Sequence, residues 1–145
     1  MKKYRIDLTK EQLDTVQEAL EFFSRFCAGQ WKVPMSMEDM EYKNQDKSSE
    51  IFAKRSFVEN QLEILKMQLT GLVQNASYGI GSPKLCESAK IAYDIYRPIL
   101  ELRDKEYKEV SPSNNDWSVY SSPGLSYSKQ GRVEIKTIQE NEENS

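Results

Sequence analysis

Along residues 2–13, KKYRIDLTKEQL, the apolar positions Tyr4, Ile6 and Leu8 alternate with Arg5 and Asp7, the period of a half-buried strand. A helix signal follows. Thr9 and Gln12 stand at capping-box spacing, in which the threonine oxygen takes an orphan amide and the glutamine reaches back, and Leu8 with Leu13 forms the hydrophobic staple. A first helix is expected from about Lys10. Leu13, Val16, Leu20, Phe23 and Cys27 mark its core face, Phe22 and Phe26 widen it, and AGQW supplies a glycine stop. Residues 32–47 mix a proline, three methionines and charges, which predicts a loop with one helical turn after Ser36.

A second helix is predicted from about Ser48 to Val73. Ile51, Val58, Leu65 and Leu72 recur every seven residues and Leu62 and Leu69 fill the adjacent row, a stripe expected to pack on a neighbouring helix. Phe57, Ile64 and Met67 lie off that stripe, so a second copy of the chain is expected to cover them. The third helix is predicted to open at Ser82-Pro83, serine as N-cap and proline at the first helical position. Its stripe is Leu85, Ala89, Ala92, Tyr96 and Ile99. Pro98 interrupts it, removes the amide that would bond the Asp94 carbonyl, and predicts a kink or an early end. Beyond residue 111 the texture changes to turn chemistry. Val119, then Leu125 with Tyr127, then Val133 with Ile135 read as short strands separated by SSPG and KQG. The fold class expected is α+β: a three-helix layer with a small antiparallel sheet formed by the N-terminal strand and a C-terminal hairpin. Residues 1–138 are expected to form one domain and 139–145, QENEENS, a disordered acidic tail.

Composition narrows the chemistry. The net charge is −3 with both signs interspersed, which argues against duplex nucleic acid as a partner. The mean hydropathy is −0.73, a lean core for a single domain. No apolar run approaches the ~20 residues of a membrane span, and the first residues lack a signal peptide's apolar core, so no membrane is expected and the cytoplasm is the expected compartment. Cys27 and Cys86 stand in unrelated segments, usage that suits a reducing compartment, and both are expected to be buried packing residues. The chain has no histidine, which removes Ser-His-Asp and Cys-His activation and histidine metal ligation. No catalytic residue, metal or cofactor is expected.

Two constellations remain as binding candidates. In NASYGIGSPK, residues 75–84, a glycine-flanked turn feeds the expected helix N-terminus, so that amides at Gly79 and Ser82, with Lys84 beside them, either cradle an anion or form a plain capped connection. Tyr93 and Arg97 stand one helical turn apart, a ring and a planar cation on one side. Tyr78 from the loop and Tyr120 from the C-terminal segment complete such a site if that segment folds back over the third helix. The alternative is that these tyrosines border the core, rings buried and hydroxyls wet. Gln30 and Trp31 offer another wall or a core cover. Glu38, Asp39, Glu41, Glu101 and Asp104 match no calcium loop or acid/base pair and are expected to be solvated.

The short signatures AGQW, NASYG, YDIYR, VYSS and VEIK together resemble a group of small bacteriophage- and prophage-encoded proteins, over most of the chain. That resemblance implies a mobile-element accessory protein in the bacterial cytoplasm and carries over no catalytic role. Gln30, Asn75, Ser77, Tyr78, Gly79, Tyr96 and Arg97 match the group's recurrent polar and aromatic positions.

The leading functional expectation is a non-catalytic binder that sequesters a small phosphorylated or nucleotide-like ligand, such as a nucleotide immune signal, as a homo-oligomer. Its expected ligand set is Asn75, Ser77, Tyr78, Gly79, Ser82, Lys84, Tyr93, Arg97 and Tyr120. The alternative is a protein-binding inhibitor or adaptor acting through an exposed helix face, with Phe57, Ile64 and Met67 bare on the isolated subunit. An enzyme working through lysine or carboxylates is the third.

Overall fold

The computed structural model describes residues 2–32, 48–110 and 124–138, the side chains of 48–54 and 109–110 excepted. Three helices make up its regular structure: α1, Lys10–Cys27; α2, Ser48–Thr70; and α3, Glu87–Val110. Among the described residues there is no strand, so the fold is mainly helical, and the α+β sheet predicted from both chain ends is not formed. No described helix is long and apolar enough to cross a membrane.

The missing sheet has a physical cause at each end. Residues 2–9 take no regular structure and form no ladder with another described segment, and Tyr4 and Ile6 are more than three-quarters exposed; alternation makes a strand only when a partner takes its amides. At the other end the amides are spent elsewhere. Tyr127 and Ser128 donate theirs to the Asp94 carboxylate, Lys129 donates to Glu87 Oε1, and Val133 donates to the Asp94 carbonyl. The segment 124–138 is thus strapped to the side of α3. The expected strand at Val119 and the tail after 138 lie outside the described residues.

α1 begins as its capping box requires: the Gln12 amide donates to Thr9 Oγ1 at 3.3 Å and the Thr9 amide to Gln12 Oε1 at 2.9 Å. It runs antiparallel to α3, since Ser24 meets Ala89 while Gln17 and Asp14 meet Arg103. The predicted stripe is buried in full: Ala89, Ala92, Tyr96 and Ile99 on α3, and Leu85 in the turn just before it. On α1 the most buried side chains are instead polar, Gln17 and Ser24, whereas Phe23 of the expected core face is exposed. Alanines at 89 and 92 bring the helices close, and the small Ser24 fits that gap by donating its hydroxyl to the Ala89 carbonyl at 3.0 Å. Gln17 accepts from Arg103 and donates to Glu21, which in turn takes Arg25.

α3 opens later than predicted. Ser82 makes a turn of its own, its hydroxyl accepting the Lys84 amide at 3.2 Å and its carbonyl the Leu85 amide, so the helix starts at Glu87. It then continues through Pro98 to Val110.

Candidate functional site

The distinctive surface belongs to α2, which turns its charged side inward. Glu63 and Lys66, one turn apart, are buried together, with Nζ to Oε2 at 2.7 Å and side chains 5% and 1% exposed. Lys66 Nζ also donates to the Ala76 carbonyl, and Glu63 Oε2 accepts the Asn75 amide. Burial raises the Glu63 carboxyl, but the Lys66 ammonium, the Asn75 amide and nearby Lys32 outweigh it and hold the group below its ordinary range. The pair ties the last turns of α2 to the loop after it. Gly29 supplies the floor: at φ 87° it brings its backbone against the Lys66 stem and Leu72, where a Cβ would meet Leu72 Cδ1 at 2.8 Å. The Tyr78 amide then donates to the Ala28 carbonyl at 2.7 Å and holds the loop beneath the end of α1.

With the ion pair inside, the apolar side of α2 points out. Phe57 is 63% exposed and Leu69 75%, and Val58, Ile64, Leu65 and Met67 are exposed as well. Of the heptad stripe expected to pack on a neighbouring helix, Val58, Leu65 and Leu69 are exposed, and the side chain of Ile51 lies outside the described residues. From residue 57 to residue 69, Phe57, Val58, Gln61, Leu62, Ile64, Leu65, Gln68 and Leu69 share one arc of about 160° of the helix. That arc carries no charge. Sequence reasoning picked out Phe57, Ile64 and Met67 but not Gln61 and Gln68, whose signal was neutrality seven residues apart in a chain that is 30% charged.

The residues expected to bind a ligand are placed as follows. Asn75, at φ 59°, accepts Lys32 on its side chain and gives its amide to Glu63. Ser77 and Gly79 are exposed, and Tyr78 is half-buried. The Ser82 amide donates to the Gly79 carbonyl and its hydroxyl takes the Lys84 amide, while Lys84 itself is exposed. Tyr93 lies edge-on to Tyr96 and to Tyr127, with centroids 5.2 and 5.5 Å apart. Arg97 sits 3.7 Å from Glu101. Tyr120 lies outside the described residues. The Tyr127 ring also packs against Gly81, so the protein's own ring occupies the space between the loop and Tyr93.

Several other side chains differ from expectation. Glu101 pairs with Arg132 as well as Arg97, and Asp104 pairs with Lys108. Trp31 follows the cover reading of the two that the sequence offered: it stacks on Phe26 at 4.8 Å and donates its indole N–H to the Phe26 carbonyl, while Gln30 accepts Arg25. Cys86 is exposed rather than buried. Glu38, Asp39 and Glu41 lie outside the described residues.

No protein-family model, no curated protein and no solved structure matches the chain.

Proposed function

We propose that the protein is a non-catalytic protein-binding module whose binding element is the uncharged stretch of the α2 face between residues 57 and 69, and that this stretch first engages the same stretch of a second copy. The observation that carries the reading is the inversion of α2, with Glu63–Lys66 inside and Phe57, Val58, Ile64, Leu65 and Leu69 outside. An apolar face of that extent is covered by a partner in a working protein. A second copy suits it because the arc opposes no like charges when it meets itself, and its spacing, Leu62 and Leu69 alternating with Val58 and Leu65, is that of a helix–helix seam.

Capture of a phosphorylated ligand has less support. The amides of Ser82, Lys84 and Leu85 are engaged within the chain, and Tyr127 fills the gap beside Tyr93. The test is the double variant Leu65→Glu/Leu69→Glu, two exposed side chains whose replacement leaves the α1–α3 core intact. Light scattering on the eluting protein should show that the variant keeps its helical circular dichroism but elutes as single chains where the wild type elutes as pairs. Equal masses for the two proteins refute the reading.

A further inference from the structure

The register of the α1–α3 pair brings the two cysteines together. Ser24 Oγ donates to the Ala89 carbonyl at 3.0 Å; Cys27 stands three residues onward on α1, and Cys86 three residues back from Ala89, just ahead of α3. Cys27 packs against the cluster of Ala28, Leu85 and Ala89, and Leu85 and Ala89 stand on either side of Cys86 in the chain. Both are free.

Their surroundings differ in a useful way. Cys27 ends α1, half-buried against Ala28, Leu85 and Ala89. Cys86 is exposed immediately before α3; its Sγ accepts from Ser88 Oγ at 3.4 Å, and its carbonyl accepts the Ala89 amide at 3.2 Å. The Ser88 hydroxyl, foremost, pulls the Cys86 thiol below its ordinary value against the effect of burial, and the α3 N-terminus favours the same anion. Burial pushes the Cys27 thiol the other way. One sulfur is therefore an accessible nucleophile and the other a sheltered neighbour.

We propose that Cys27 and Cys86 are an oxidant-responsive dithiol site that closes to a reversible intramolecular disulfide, with Cys86 as the attacking sulfur and Cys27 as the resolving one. The oxidant is a hydroperoxide. The Cys86 thiolate attacks the distal peroxide oxygen, the O–O bond breaks, and the alkoxide leaves and takes a proton as the alcohol. The resulting Cys86 sulfenic acid is attacked by the Cys27 sulfur; the S–S bond forms as hydroxide leaves and takes up the Cys27 proton as water. Two thiols and one hydroperoxide thus give one disulfide, one alcohol and one water, a two-electron oxidation reversed by a dithiol. The bond would clamp the end of α1 to the start of α3 and close the loop that carries α2.

The experiment treats the reduced full-length chain with one equivalent of hydrogen peroxide and follows intact mass, free thiols and a non-reducing peptide map. The expected product has lost two hydrogen masses and both titratable thiols, links the peptides of Cys27 and Cys86 within one chain, melts several degrees higher, and reverts with dithiothreitol. Cys27→Ser should stop at a sulfenic acid on Cys86 that dimedone traps, and Cys86→Ser should trap none. Should either variant fail to fold, the peptide map of the wild type decides alone. Persistence of both thiols, a link only between chains, or dimedone on Cys27 in place of Cys86 overturns the proposal.

Discussion

Pro98 has no amide to give the carbonyl of Asp94, and that carbonyl accepts instead from the amide of Val133 at 3.4 Å. The same residue holds the strap through its side chain: the Asp94 carboxylate, 1% exposed, takes the amides of Tyr127 and Ser128 and the hydroxyls of Ser126 and Ser128. Glu87 and Glu101, seven residues to either side, take Lys129 and Arg132. One acidic row on α3 therefore replaces the strand ladder that residues 124–138 would otherwise need. Pro98→Ala restores an amide to the Asp94 carbonyl. Hydrogen exchange at the Val133 amide should then accelerate by roughly tenfold or more as its acceptor is claimed.

Asp94→Asn should cost about 3 kcal/mol in chemical denaturation, since charge-assisted bonds give way to neutral ones and one amide group now faces donors. The pH dependence follows the carboxyl. Burial raises it, but the bonds from Ser128, Tyr127 and Ser126 outweigh burial and hold it below its ordinary value. A depressed folded pKa contributes stability that is present above the unfolded value and lost as pH falls through the folded one. Wild-type stability should thus drop below about pH 4, and part of that drop should vanish in Asp94→Asn.

At the other end of the titration range Tyr96 acts with the opposite sign. Burial, assisted by the Glu21 charge, pushes its phenol up to about 12. A raised folded pKa gives stability that is complete below the unfolded value, near pH ~10, and lost as pH climbs through the folded one. Ultraviolet titration should show one tyrosine ionising late, with unfolding, and Tyr96→Phe should remove it.

Lys66→Ala should cost about 3–5 kcal/mol, because it leaves the Glu63 carboxylate buried without its ion. A double-mutant cycle with Glu63→Gln should return a coupling of more than about 1 kcal/mol; additive losses would show that the pair is not coupled.

Gly29→Ala should be worse than Gly71→Ala. Both glycines have positive φ, 87° and 70°, but a Cβ at residue 29 meets Leu72 at 2.8 Å, whereas one at residue 71 meets nothing within 4 Å. The expected penalties are about 2–3 and about 1 kcal/mol, read from denaturant midpoints.

The sequence made the helices legible because their signals are local. Thr9 and Gln12 cap α1 by themselves, and the stripe from Leu85 to Ile99 states its own period. Local signals misled where a distant group intervened. The alternation around Tyr127 and Val133 reads as strand, yet their amides go to Asp94, more than thirty residues away in the chain. Ser82-Pro83 resembles a helix start, but the Ser82 hydroxyl closes a turn ahead of the helix. The α2 stripe was visible as apolar; that it faces outward depends on Glu63 and Lys66 being drawn in by Asn75, Ala76 and Gly29, contacts no periodicity records. Likewise Cys27 and Cys86 are neighbours only once α1 and α3 are antiparallel. Of the expected ligand set, Tyr93 and Arg97 share α3 as read, while Tyr127, which fills the space beside Tyr93, had been assigned to a strand.

Sedimentation equilibrium of the reduced wild-type chain, from high to low micromolar concentration, bears most directly on the outward face of α2. Self-association predicts a mass of twice the 16.9 kDa chain that falls toward one chain on dilution. A mass of one chain at every concentration contradicts it.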